Sequence, residues 1–280
     1  MTLADTDSIT ATVLEYAAHG DVLHPVALTF LLRQYRATGR PDVSDMLGEA
    51  LALALARHVD HRSTSERAGW LLAFTEATAV SDDERLADAA RDLIQVLAGE
   101  WPSIAVVDQA AASVDACLHA SHLVDAHDLV PRAIDELERI VAGAYRPGHG
   151  VAHTIDPGAH VRGGARDHLH TASALLSAYE LTGRLPYSML AEELVQASRQ
   201  RLSSEADFGT SCEAARVLCR LAALHDDASY RKAAVIAADA DYRADAGRLL
   251  TDMAARLGDA PADAALYGLA FDEWRDATPR

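Results

Sequence analysis

The chain predicts an all-α fold, an (α/α)6 toroid of twelve helices, on three observations. Almost every long segment is rich in Ala and Leu, with apolar residues at spacings of three and four, the helical period. Runs of β-branched residues bounded by turns, the mark of strands, are nearly absent. One phrase also recurs. Leu28-Thr-Phe-Leu-Leu-Arg-Gln-Tyr-Arg-Ala-Thr-Gly39 and Ala172-Ser-Ala-Leu-Leu-Ser-Ala-Tyr-Glu-Leu-Thr-Gly183 align without a gap, with Leu-Leu, Tyr and Thr-Gly in register.

Taken in order, the first 18 residues supply one outer helix. The Leu28 copy is the first inner helix, and looser copies begin near Gly69, Val114, Ala172, Ala215 and Ala265. Their starts lie about 40–60 residues apart, the size of a helical hairpin repeat. Each copy carries little charge, as a helix buried on most sides should. A more amphipathic helix follows most copies: Asp82–Ala98, Asp128–Ala142, Tyr187–Gln200 and Tyr230–Ala244. The acidic run Asp239, Asp241, Asp245 reads as a solvated outer face of the last of these. Turn signals separate the pieces at Gly20-Asp21, Thr38–Pro41, Ser81–Asp83, Trp101-Pro102, Pro147-Gly148, Thr182-Gly183, Asp226-Asp227 and Gly258-Asp259. A linear stack of such hairpins would expose two ends and want polar caps, whereas six pairs close a ring. The expectation is one toroid domain over residues 1–280.

Loop lengths pick out a functional rim. Inner-to-outer turns are short, as at Thr38–Pro41 and Thr182–Leu185. Outer-to-inner connections are longer, as at His19–His24, Asp60–Ser65, Gly99–Val106, Tyr145–Ala165 and Ser203–Thr210. In a hairpin ring the two classes fall on opposite rims, and loops on a rigid scaffold carry sites.

Composition narrows the partners. The 280 residues are 50% hydrophobic and carry 25 Lys plus Arg against 42 Asp plus Glu, a formal charge of −17. That balance argues against nucleic acid and anionic membrane, which need a basic footprint. Lys232 is the one lysine. Three cysteines, Cys117, Cys212 and Cys219, cannot form a disulfide framework. No signal-like apolar run opens the sequence and no 18-residue stretch reads as a membrane span, so a cytoplasmic protein, monomer or weak homodimer, is expected.

From about Asp108 to Trp274 the order of phrases resembles the helical toroid half of the large thioredoxin-domain-containing proteins. The carrying phrases are Asp108-Gln-Ala-Ala-Ala, Gly150-Val-Ala-His153, Gly163-Gly-Ala-Arg-Asp-His-Leu-His170 and Phe208-Gly-Thr-Ser-Cys-Glu, which runs on to Tyr230. That fold is shared with N-acylglucosamine 2-epimerases and six-hairpin glycosidases. The thioredoxin domain and its Cys pair are absent, so the resemblance implies no redox role. It implies a carbohydrate or similar polar ligand, and in the epimerase-like relatives paired histidines at this rim exchange the proton.

The segment Tyr145–Ala165 and the helix start after it concentrate candidate chemistry. At about 20 residues the connection is longer than usual. His149, His153, His160, His168 and His170 fall within 22 residues of a Gly-rich stretch, and histidine is readily poised for proton transfer near neutral pH. His168 and His170 stand about 200° apart on a helix, so one of them faces a cavity. The reading chooses His168 with His153, and Asp167 beside them, as the catalytic set, and the loop as a lid over the mouth. Trp101, Asp108, His149, Arg166, Cys212, Glu213 and Asp263 are the ligand-contact candidates, Trp101 as a stacking platform. Glu66, Asp108, Asp167, Glu213 and Asp263 are rim carboxylates of the kind a glycosidase pair needs, though acidic residues also favour first turns as caps.

A rival reading gives His153, His168 and Cys212 to a catalytic zinc, or gives Cys212, at a helix start, a lowered thiol pKa. No Cys-x-x-Cys or His-Glu-x-x-His occurs, so the expected cofactor is none. Cys117, Cys219 and Trp70 read as packing residues, and His119 and His122 as structural. No Gly-rich phosphate loop follows a strand. The leading expectation is isomerisation or hydrolysis of a carbohydrate-like metabolite. The alternatives are a non-catalytic binding toroid and a zinc enzyme.

Overall fold

The structure is a computed structural model that describes residues 6–18, 23–57, 63–156, 158, 161–202, 206–234, 236–237, 239–258 and 260–277. Its helices are α1 (Thr6–Ala17), α2 (Pro25–Thr38), α3 (Pro41–Arg57), α4 (Thr64–Thr78), α5 (Glu84–Glu100), α6 (Val107–His119), α7 (Ala126–Ala144), α8 (Ala165–Thr182), α9 (Leu185–Leu202), α10 (Phe208–Asp226), α11 (Ala228–Ala234), α12 (Tyr242–Ala254) and α13 (Pro261–Asp276). The inner helices touch in the order α2, α4, α6, α8, α10, α13, and α13 returns to α2. Outside them α1 packs on α13, α3 on α2, α5 on α4, α7 on α6, α9 on α8 and α12 on α10. This is the (α/α)6 toroid.

Local sequence explains the elements. The two in-register copies, α2 and α8, both end on a left-handed glycine. Gly39 (φ +63°) and Gly183 (φ +67°) donate their N–H to the carbonyls of Tyr35 and Tyr179 at 2.8 and 2.7 Å, a conformation that costs a side-chain-bearing residue more than glycine. The outer α5 buries Leu86, Ala89, Ala90, Leu93, Ile94 and Leu97, one stripe at helical spacing. Inner α4 buries Trp70, Leu71, Ala73, Phe74 and Ala77 on several faces because it has helices on both sides and behind. The ring's seam is polar: Arg33 of α2 reaches Glu273 of α13 at 2.7 Å, Gln34 donates to Asp272, and Thr6 of α1 donates to Asp272 at 3.1 Å. The first and last helices therefore meet, as a closed ring requires.

Two local features differ from expectation. The outer helix expected over Tyr230–Ala244 is instead the short α11 followed by α12. Glu192 of α9, fully buried, accepts the amide N–H groups of Ile236 (2.7 Å) and Ala237 (3.3 Å) and the Tyr242 hydroxyl (2.7 Å). A side chain thus serves backbone donors that a continuous helix would satisfy, and the chain restarts at Asp241, which caps Ala244 at 2.9 Å. Asp239 and Asp241 of the acidic run are exposed, as expected of a solvated face, with Asp241 also the cap, while Asp245 is partly buried and holds Arg199 and Arg248.

The second difference is a small hairpin, β1 (Tyr145–Arg146) paired antiparallel with β2 (Gly150–Val151). Beyond it the segment expected to be a lid is strapped down. Val107 N–H donates to the His153 carbonyl (3.0 Å), Ile155 N–H to Ala105 (2.8 Å) and Gly163 N–H to Val151 (3.0 Å). Among the described residues no helix is long and apolar enough to cross a membrane.

Candidate functional site

Inner helices enter from the long connections, so their first turns surround the mouth of the ring and their last turns lie deep. Along each one a polar stripe at three-four spacing faces inward. On α8 it is Arg166, His170, Ser173, Ser177 and Glu180; on α10, Glu213, Arg216 and Arg220; on α6, Asp115 and His119. All six inner helices contribute to a central cavity of about 1000 Å³. His24, Glu66, Arg166, Asp207 and Asp263 lie near its mouth, and Arg33, Glu76, Arg220 and Glu273 lie further in.

The deep wall is an ionic belt. Arg33 pairs with Glu76 (2.9 Å) and Glu273 (2.7 Å), Arg216 grips Glu273 at 2.9–3.1 Å, and Arg220 pairs with Glu180 (2.9 Å). Burial alone would push the Glu273 carboxyl up, but Arg216 and Arg33 outweigh it and bring it down to about 2. Asp115 accepts the hydroxyls of Ser173 (2.6 Å) and Ser177 (2.5 Å), which Arg220 holds in turn. Above the belt, His170 Nε2 lies 3.6 Å from Glu213, with side-chain exposures of 12% and 32%. This histidine and carboxylate reach the cavity without an arginine between them.

Of the ligand-contact and rim-carboxylate candidates singled out from sequence, Glu66, Arg166, Glu213 and Asp263 line the cavity. Asp108 sits at the rim and pairs with Arg166 at 3.3 Å. The catalytic set is corrected. His168 is fully buried, its Nδ1–H donating to the Gly164 carbonyl at 2.7 Å and its Nε2 accepting Val151 N–H at 3.3 Å. A carbonyl can only accept and an amide can only donate, so both ring nitrogens are committed to structure. Asp167 is also buried and closes a capping box, accepting Gly164 N–H at 2.8 Å as well as Asp108 N–H at 3.3 Å and His153 Nδ1 at 3.1 Å. His153 is half exposed and lies off the cavity wall. His149 is at the exposed hairpin turn, also off the wall. His160 lies outside the described residues.

The residue that faces the cavity is His170. The signal was present: position 170 is in phase with the polar Arg166, Ser173 and Ser177, while 168 is in phase with the apolar Ala172 and Leu175. Asp115, Arg216, Arg220 and Glu273 lie deeper along the inner helices, away from the long-loop rim, and single-helix sequence patterns do not show that ring closure brings them together.

Trp101 is no stacking platform: it is 3% exposed and donates its indole N–H to Ser113 at 3.0 Å. Trp70 packs as expected. His119 and His122 are exposed rather than packed. With Arg33, Arg36 and Glu76 they line a second pocket of about 410 Å³ at the far ends of α2, α4 and α6. Cys212 is buried, and its thiol is pushed up to about 12, by burial first and then by Asp263 and Glu213, the reverse of an activated nucleophile. Among the described residues no three His, Cys, Asp or Glu side chains come together as a metal would need, so His153, His168 and Cys212 do not form the zinc set.

The thiols supply a direct check. Burial raises Cys117, Cys212 and Cys219 alike to about 12. A disulfide reagent should label none of the three in the folded protein and all three in denaturant. Rapid labelling of the native chain would contradict the packing around α6 and α10.

No family model matches the chain, and no curated protein matches it. Solved structures do. An unsaturated glucuronyl hydrolase specific for heparin superposes with a TM-score of 0.70 at 11% identity, over 97% of this chain and 96% of its own. The unsaturated glucuronyl hydrolase of Bacillus sp. GL1 gives 0.65 at 14%, over 88% and 82%. The GH76A α-1,6-mannanase of Salegentibacter sp. HEL1_6 gives 0.68 at 12%, over 97% and 99%. At such identities the likeness is one of fold, and the fold is the (α/α)6 toroid of these glycoside hydrolases.

Proposed function

We propose that the central cavity binds a carbohydrate or similar polar metabolite and processes it by acid/base chemistry, as a hydrolase or an isomerase. The carrying observation is the His170–Glu213 pair standing in a cavity of about 1000 Å³ to which all six inner helices contribute. The fold neighbours support carbohydrate as the ligand class, since an inactive variant of the mannanase is described in complex with α-1,6-mannotetrose. The toroid fold that epimerases of this shape also use is compatible with proton exchange by a histidine at the cavity, a part we give to His170 in place of His168. His170 moves the proton, Glu213 stands 3.6 Å from the imidazole and orients it, and Asp115, fixed by two serine hydroxyls, faces the developing positive charge or activates a water. Asp108 and Arg166 form the rim.

A second reading, a binding toroid without catalysis, is favoured by one feature. Phe208 is the single Phe, Tyr or Trp ring among the described lining residues, whereas sugar sites commonly use ring stacking.

The test is His170→Gln against a panel of glycosides and free aldoses and ketoses. Turnover should fall by roughly 10²–10⁴, the usual worth of a positioned acid/base group, with the melting temperature within about 2 °C of wild type because a wall imidazole supports little core. Undiminished turnover in His170→Gln would remove the catalytic assignment. Sugar binding by wild type with no turnover on any member would favour the second reading.

A further inference from the structure

The charge around the central cavity is unbalanced in a way that bears on what enters it. Four arginines and nine carboxylates are among its described lining residues, an excess of five negative charges. Each of the four arginines is already held by a carboxylate: Arg33 by Glu76 and Glu273, Arg216 by Glu273, Arg220 by Glu180, and Arg166 by Asp108. Arg33, Arg216 and Arg220 are thereby committed inside the cavity, and Arg166, half exposed at the rim, is shared with Asp108 through its Nε alone. The unmatched carboxylates cluster toward the mouth. Among the described residues Glu213 makes no ion pair beyond the 3.6 Å approach of His170, with the Arg216 charge acting on it from further off. Asp263, on the first turn of α13, makes no hydrogen bond or ion pair with any described residue, and Glu66 and Asp207 serve as helix-end partners beside them. Between these carboxylates the wall is apolar, with Leu169, Phe208 and Leu266. A concave, partly apolar wall with charge of one sign focuses the field into the cavity and concentrates ligands of the opposite sign.

Resting on the reading of this cavity as the ligand site, we infer that it admits a ligand bearing a protonated amine, an amino sugar in the carbohydrate reading, and disfavours anionic sugars. The amine would sit between Asp263 and Glu213, with its ring against Leu266 and Phe208. A uronate would bring its carboxylate toward the same two groups, with Arg33, Arg216 and Arg220 engaged deeper in the cavity. On this account the chain and the glucuronyl hydrolases of like fold use one scaffold for ligands of opposite charge.

Three sugars that differ in one substituent give the test: glucosamine, glucose and glucuronate, titrated calorimetrically at mildly acidic pH and low salt, with spermidine as an amine that is not a sugar. Glucosamine is expected to bind at least about tenfold more tightly than glucose, and glucuronate more weakly than either. The advantage should shrink as salt is raised. Asp263→Asn should pull the glucosamine-to-glucose ratio toward one. Equal binding of all three sugars, or a preference for glucuronate, would overturn the inference and leave the carbohydrate reading standing. Spermidine binding without any sugar binding would uphold the charge preference and overturn the carbohydrate reading. Failure of all four ligands would overturn both.

Discussion

Gly150→Ala and His168→Ala should each lower the melting temperature, by roughly 5 °C, while leaving turnover per folded molecule unchanged. Gly150 has φ +77°, and a Cβ placed there would overlap the His168 imidazole, with Cδ2 at 2.7 Å and Nε2 closer still. An alanine at such a φ costs about 1–2 kcal/mol by itself. The imidazole cannot swing aside, because both nitrogens are bonded to backbone, so overpacking adds about 1–3 kcal/mol. His168→Ala reaches a similar loss from the other side. It orphans the Val151 amide, at about 1–3 kcal/mol, and empties the space of a buried ring, while the Gly164 carbonyl keeps only the backbone N–H of residue 168 at 3.5 Å. For a chain of this size about 3 kcal/mol corresponds to roughly 5 °C. Thermal scans of the two variants check this. A His168→Ala protein that melts like wild type but has lost turnover would restore the histidine to catalysis and remove its role as the pin between hairpin and α8.

How much of this was legible in the sequence follows from what each feature depends on. The hairpin ring was readable because it is periodic. A helix that must bury several faces repeats Leu-Leu and Tyr at fixed offsets and stops on Thr-Gly, and both copies do so at Gly39 and Gly183. The break between α11 and α12 was not readable. It depends on Glu192, about 45 residues upstream, capturing two amide groups, and local propensity over an Ala-rich run contains no trace of that. The site divided along the same line. Arg166, Glu213 and Asp263 were found because first turns next to long loops must face the mouth. His168 was chosen over His170 by proximity to the loop, when helical phase against Ala172 and Leu175 already placed it in the core. Trp101 fell to a similar error: a Trp-Pro in a connection looks exposed, but a ring of that size next to Ser113 is better buried with its N–H satisfied. The ionic belt was invisible as a belt, since Arg33, Glu76, Arg216 and Glu273 belong to four helices and only closure of the ring brings them together.

That belt also makes the ring's stability depend on acid. Glu273 closes the seam between α13 and α2 by holding both Arg33 and Arg216, and its carboxyl lies near 2 against an ordinary 4.5. A carboxyl with a depressed folded-state pKa contributes stability that is fully present above the unfolded value and is lost as pH falls toward the folded one. The window is therefore from about 4.5 down to about 2, and a shift of this size is worth about 3 kcal/mol. Glu273→Gln keeps the shape and removes the charge, leaving two arginines against a neutral amide. It should cost about 3 kcal/mol at neutral pH, in the range found for breaking one partner out of a buried ion pair. Other carboxylates also titrate in this window, so the informative quantity is the difference between wild type and variant in urea unfolding at successive pH values. That gap should be constant from pH 7 to about 5, narrow below 4.5 and approach zero near 2. A gap that stays the same across the acid range would mean that Glu273 holds α13 to α2 through packing and not through its charge.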